Sequence, residues 1–179
     1  AVCREHEHGD VRFVRHDTPV IDSNFGLILV RTSNRIESGP AMNTDEVWAA
    51  IDDHRARTAD LLDTLDDNEW NHATLCDGWT VRDIAAHLTL QQLGVRRMIG
   101  MLPLAIRHRG NINAVIHYSA TQKATTPTDR LVTENRTMIG SRKHNIGLSP
   151  REALVDIVIH GQDIAIPLDR TLTVSPDVA

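Results

Sequence analysis

The sequence predicts an all-α fold, a four-helix bundle behind a poorly structured N-terminal extension. Three observations predict it. Apolar residues recur at three- and four-residue spacing from Val47 onward. Helix-start residues stand at Asn43, Thr80 and Ser149, each with an acidic residue three positions on, at Glu46, Asp83 and Glu152. Aromatic residues make up only 3% of the chain, so the core must be aliphatic, which suits helices better than an aromatic-rich β-sandwich.

Residues 1–41 are read as lying outside the fold. They contain Gly9, Pro19, Gly26, Gly39 and Pro40 and no helical period, and their one ordered candidate is a short β-like run from Gly26 to Arg31. Met42 would serve as an initiator, so this segment is expected to be a leader, an upstream extension or a mis-assigned start. Cys3, His6, His8 and His16 look superficially like metal ligands; in a polar segment without an apolar pattern they are read as chance residues of a disordered tail. The domain itself is expected to span 42–170, followed by a tail at 171–179.

The first helix opens at Asn43, and its apolar stripe runs Val47, Ile51, Thr58, Leu61, Leu62, Leu65, with His54 on the same face. Asp66, Asp67 and Asn68 end that pattern, and a polar connector leads to Cys76-Asp77-Gly78-Trp79. Thr80 caps a second helix whose shared face carries Ile84, His87, Leu88, Gln91 and Val95; Gly100 and Pro103 are expected to kink or break it. A third helical region falls in two pieces, Asn111 to Lys123 and Pro127 to Ser141, jointed at Thr125-Thr126-Pro127. The last helix has the strongest start signal, with Ser149 as N-cap and Pro150 at the first position, and Pro167 stops it near Ile166.

Composition excludes several classes. The chain has 179 residues, enough for one ordinary domain. A net charge of -5 and a pI near 6.0 leave no basic footprint for nucleic acid and no polybasic membrane anchor. The run Phe25 to Val30 is far too short to span a bilayer, and no signal-peptide pattern opens the chain. Two cysteines are too few for a disulfide framework. A cytoplasmic protein is expected, with small molecules as its partners and a homodimer left open.

One constellation carries chemistry. Asp156 and His160 are four apart on the last helix and project from one face, with Asp163 nearby. Their neighbours Ala153, Ile157 and Ile164 are apolar, so this face should turn inward. A carboxylate and an imidazole on an inward face need compensation, which a divalent metal such as zinc, nickel, iron or manganese supplies. A plain ion pair or a satisfied core histidine is the competing account of the same spacing. A third ligand must come from another helix. His87 ranks first, because Ile84, Leu88 and Gln91 bury its face; His54 is the alternative. Two histidines and one carboxylate would leave coordination positions open, as catalytic sites do.

The run Thr74-Leu75-Cys76-Asp77-Gly78-Trp79-Thr80-Val81-Arg82-Asp83-Ile84-Ala85-Ala86-His87-Leu88 resembles the signature of the mycothiol-dependent maleylpyruvate isomerase N-terminal-domain family, within the DinB-like superfamily. The later run from Asp156 to Ile164, with its His160-Gly161-Gln162-Asp163, is similar to that family's second motif. The resemblance covers roughly residues 43–170. It implies a DinB-like four-helix bundle that holds a metal through His87, Asp156 and His160, with zinc the first choice of ion and mycothiol or a related thiol as cofactor. Two departures stand out. Asp156 occupies a position where the isomerase has a glutamate, one methylene longer, so the helix must come closer or a water must bridge. The isomerase also carries a C-terminal domain, whereas this sequence stops at Ala179.

On that resemblance the expected function is metal-dependent chemistry of a low-molecular-weight thiol, S-transfer or isomerisation of a small electrophile. The alternative is a non-enzymatic metal-binding stress-response or regulatory bundle. Arg82 is the candidate cofactor-binding residue, meeting the carboxylate of a bound thiol; a surface ion pair with Asp83 or Glu152 is its plainer role. Cys76 is assigned to packing, since no base stands at a telling spacing. Asp163 could orient His160, pair with Arg170 or face water. No catalytic base is identified.

Overall fold

The computed structural model describes residues 42–94, 99–145, 147–174 and 178. The extension at 1–41, with its cysteine and histidines, and Val95 lie outside the described residues. Among the described residues the structure is helical, with no strand beyond one isolated bridge.

Helix α1 spans Thr44–Asp63. Asn43 Oδ1 accepts from the backbone N–H groups of Asp45 and Glu46, and the Glu46 carboxylate accepts from Asn43 N at 2.7 Å, the reciprocal cap its sequence predicted. Its buried face carries Val47, Trp48, Ile51, His54, Arg55, Thr58 and Leu62. Arg55 is the unexpected member. One guanidinium nitrogen donates to the carbonyls of Met138 and Ser141 at 2.9 and 3.0 Å and lies 3.7 Å from Asp52 Oδ1, which offsets part of the cost of a charge placed in the core.

The connector after α1 is more ordered than expected. Asp66 and Glu69 form a second capping box around a one-turn helix α2, Asp67–Trp70, which buries Trp70. The chain then closes a short loop through the bridge between Ala73 and Thr80. Gly78 takes a positive φ of 76° there, a conformation that glycine adopts without a Cβ penalty. Thr80 caps α3, Val81–Leu88, with Asp83 answering back.

One expectation about this region needs correction. Helix α3 ends at Leu88 rather than running through Gln91. Thr89 Oγ1 bonds the Ala86 carbonyl at 2.7 Å, and Leu90 and Gln91 continue in tighter i to i+3 turns. A break does fall where Gly100 and Pro103 were expected to cause one: residues 99–100 are helical, Met101 is a turn, and Pro103 sits in the first turn of α4, Leu102–Arg107, where its missing N–H has no helical partner to lose.

Asn111 caps α5, Ile112–Lys123, and Pro127 precedes α6, Thr128–Thr137. The two-piece third region is therefore correct, although its second piece ends at Thr137, before Ser141. Ser149 caps α7, Pro150–Ala165, and the chain leaves through a 3-10 turn at Ile166–Leu168. Helix α1 packs on α6 and α7, while α3 packs on α5, α6 and α7. The core is largely aliphatic, with Val47, Ile51, Ile84, Leu88, Leu131, Ile157 and Ile164 buried, but all three tryptophans, Trp48, Trp70 and Trp79, are buried in it as well. Beyond Arg170 the chain folds back. Leu172 is buried, and its carbonyl accepts from the Gln162 side chain at 2.6 Å. No helix of the described residues is long and apolar enough to cross a membrane.

Candidate metal centre

Helices α3 and α7 pack against each other, and that contact decides the site. His87 stands in the last turn of α3. Asp156 and His160 lie one turn apart on α7. One ligand atom from each of the three falls within 4.8 Å of the other two. His160 Nε2 is 3.5 Å from Asp156 Oδ1, and His87 Nε2 is 3.9 Å from Asp156 Oδ2. The two imidazole rings meet edge to face, with centroids 5.0 Å apart. The sequence-predicted residues are thus brought together. His54, the alternative ligand, is buried elsewhere on α1 and does not belong to the cluster.

The hydrogen bonds around the trio decide which nitrogen faces inward. His160 Nδ1 lies 3.0 Å from Asp163 Oδ2, and that carboxylate is an acceptor when ionised. The imidazole therefore donates from Nδ1, and in its neutral form presents a bare Nε2 lone pair to Asp156. A lone pair, a carboxylate oxygen and a second imidazole whose ligand atoms lie within 4.8 Å of one another could share a proton or a cation. This donor set fits a divalent metal ion: two neutral imidazoles and one carboxylate, with a carboxylate behind one histidine to fix its tautomer.

The electrostatics agree. Partial burial pushes the Asp156 carboxyl up, but the neighbouring His87 and His160 and the Gln91 amide outweigh it and hold the pKa below 3.8. Burial pushes His160 down, yet the hydrogen bond to Asp163 and the charges of Asp156 and Asp163 raise it above 6.5. A proton on His160 is thereby favoured at this point of the molecule.

Four neighbours complete the surroundings. Gln91 donates its amide to Asp156 Oδ2, an orienting contact made possible by the tight turn after α3. Sequence reasoning put Gln91 on the correct face but gave it no role. Trp79 is buried and lies parallel to His160 at 6.5 Å and edge-on to His87 at 5.4 Å, so the indole walls the site. Asp163 is buried against His160; Arg170, its other candidate partner, pairs with Glu69 instead at 2.7 Å. Cys76 was assigned to packing. It is buried, and its thiol also donates to Asp163 Oδ2 at 2.9 Å. The residues involved, 76 and 163, are too far apart in the chain for spacing to reveal this.

Arg82 makes neither ion pair considered for it. Its guanidinium donates to the carbonyls of Ala124 and Thr126 at 3.0 and 3.2 Å, fastening α3 to the joint between α5 and α6. Asp83 instead serves the Thr80 cap, and Glu152 the Ser149 cap.

Residues 51–130 match the family model of the mycothiol maleylpyruvate isomerase N-terminal domain. The resemblance read from the Thr74–Leu88 motif holds over this stretch, which includes His87 and ends before α7. No curated protein and no solved structure matches the chain.

Proposed function

We propose that the chain binds a divalent metal ion, zinc first, through His87, Asp156 and His160, and acts there on a low-molecular-weight thiol of the mycothiol type. The observation that carries this reading is the convergence of the three ligand atoms within 4.8 Å, backed by Asp163 on the far nitrogen of His160. The thiol assignment is supported by the isomerase-family match over residues 51–130. When bound, a divalent cation supplies charge that favours the thiolate over the thiol at neutral pH.

The protein's own residues do the rest. Asp163 fixes His160 in the tautomer that offers Nε2. Gln91 holds Asp156 through its side-chain amide. Trp79 forms one wall beside both imidazoles. The reaction best suited to such a site is S-transfer to, or isomerisation of, a small electrophile. Arg82 remains the proposed contact for a thiol carboxylate, through guanidinium nitrogens other than the one bonded to Ala124 and Thr126.

One observation favours the alternative, a non-enzymatic metal-binding stress-response or regulatory bundle. Ile99, Leu102 and Ile106 are 66%, 59% and 71% exposed and lie close together in sequence. A cluster of that kind suits a protein partner.

The test is elemental analysis of protein purified without a metal-affinity column, followed by thermal shift with mycothiol and with glutathione. Stoichiometric metal and a selective shift with mycothiol are expected. Metal without any thiol response would favour the regulatory reading, and no metal uptake at all would overturn both.

A further inference from the structure

The carboxylate behind the metal centre serves two donors from different parts of the chain. Asp163 Oδ2 receives His160 Nδ1–H at 3.0 Å and the Cys76 thiol at 2.9 Å. All three groups are packed together: Cys76 and Asp163 are each 4% exposed, and Cys76 Sγ lies 3.9 Å from His160 Nδ1. Cys76 sits in the loop that leads into α3, eleven residues before His87 in sequence. The same loop bonds α7 through its backbone, where Leu75 N–H donates to the Asp163 carbonyl at 3.3 Å.

We infer that Cys76 is a positioning residue of the metal centre, its thiol holding the Asp163 carboxylate in the rotamer that fixes His160 and registering the α3 loop against α7. This rests on the metal reading of His87, Asp156 and His160. A carboxylate in a buried setting needs its lone pairs met. Without the thiol, Asp163 would have one donor fewer and could swing toward another. The Nδ1–H tautomer of His160 would then be less strictly imposed, and Nε2 less consistently directed at the ion. The thiol acts as a donor here and stays protonated; it does not itself coordinate the metal.

The experiment compares the full-length wild type with Cys76→Ala and Cys76→Ser, titrated with zinc against a chromophoric chelator and loaded separately with cobalt(II). Far-UV circular dichroism and the thermal midpoint of each metal-free protein are recorded alongside. Partners that orient a ligating histidine alter metal affinity by about 10–100-fold, and Cys76→Ala, one step further out, is expected at the lower end of that range. Cys76→Ser keeps a donor at the same place and is expected to recover most of the affinity, with no thiolate-to-cobalt charge-transfer band in the wild type. A role in packing alone predicts equal losses in the alanine and serine variants, and that result would overturn the proposal. So would unchanged zinc affinity in Cys76→Ala, or a thiolate charge-transfer band in the wild type, which would make Cys76 a ligand. A wild type that takes up no zinc would instead overturn the metal reading itself, and is recognised before any variant is compared.

Discussion

At the scale of single residues the critical atom is His160 Nε2. Its partner nitrogen is committed to Asp163, so in the neutral ring this lone pair is open to a proton or, on the proposed reading, to a metal. His160→Ala is therefore expected to abolish metal binding while far-UV circular dichroism stays helical, because the aliphatic stripes hold the bundle. If the trio were only an ion pair, the same substitution would strand Asp156 as an uncompensated charge and cost about 3–5 kcal/mol, and chelator would leave the wild type unchanged. The two accounts separate on one denaturation series with and without chelator. A pH dependence follows from the same groups in the metal-free protein. His160 is raised above 6.5, so its contribution is complete below that pH and is lost as pH climbs through its folded value. Asp156 is depressed below 3.8, so its contribution is complete above that pH and is lost as pH falls through its folded value. Stability owed to the pair should thus hold between 3.8 and 6.5 and decline on either side. Urea unfolding in chelator across that range tests it, with His160→Ala as the control that should flatten the upper limb.

At the scale of elements the helix starts are the best-specified features. Four capping boxes stand at Asn43, Asp66, Thr80 and Ser149. In α7 the cap fixes the register that carries Asp156 and His160 to the centre, yet the centre lies about two turns further along. Ser149→Ala should therefore lower stability by about 1 kcal/mol and leave metal affinity unchanged. Urea denaturation and a zinc titration measure the two separately. No loss of stability would mean that the cap contributes nothing, and a loss of metal would mean that the helix frays as far as its ligands. The missed cap at Asp66 has an instructive cause. Three acidic or amide residues in succession end an apolar stripe, but Asp66 and Glu69 at cap spacing also start a new turn. That turn places Trp70 in the core.

At the scale of the whole molecule, stability comes from an aliphatic core shared by α1, α3, α6 and α7. Leu131 on α6 is fully buried, on a helix that supplies none of the three proposed ligands. Leu131→Ala should cost about 2–5 kcal/mol, the transfer term plus the cavity left behind. Zinc should still raise the thermal midpoint of that variant, because the ligands come from α3 and α7. A variant that keeps its wild-type midpoint would show that the core collapses around the gap; one that loses zinc as well would show that α6 sets the spacing of the two ligand helices. Metal present at 100 times its dissociation constant should stabilise the wild type by about 2.7 kcal/mol.

By itself the sequence determined the helical class, the caps at Asn43, Thr80 and Ser149, most helix boundaries and the aliphatic stripes. All of these depend on residues within a turn or two of one another, where periodicity and capping chemistry are local. It also paired Asp156 with His160, because a four-residue spacing on a helix is a spatial statement. Tertiary structure decided the rest. The sequence ranked His87 above His54, but only the packing of α3 on α7 brought it to Asp156 and His160. Only the fold-back of the loop before α3 brought the Cys76 thiol to Asp163, across most of the length of the domain. Arg82 found backbone carbonyls rather than a carboxylate, and Arg55 found them in addition to its neighbour Asp52, since helix ends exposed by packing offer acceptors that no side-chain pattern records. Local spacing fixes which face a residue occupies; what that face meets is set by which helices the core brings together.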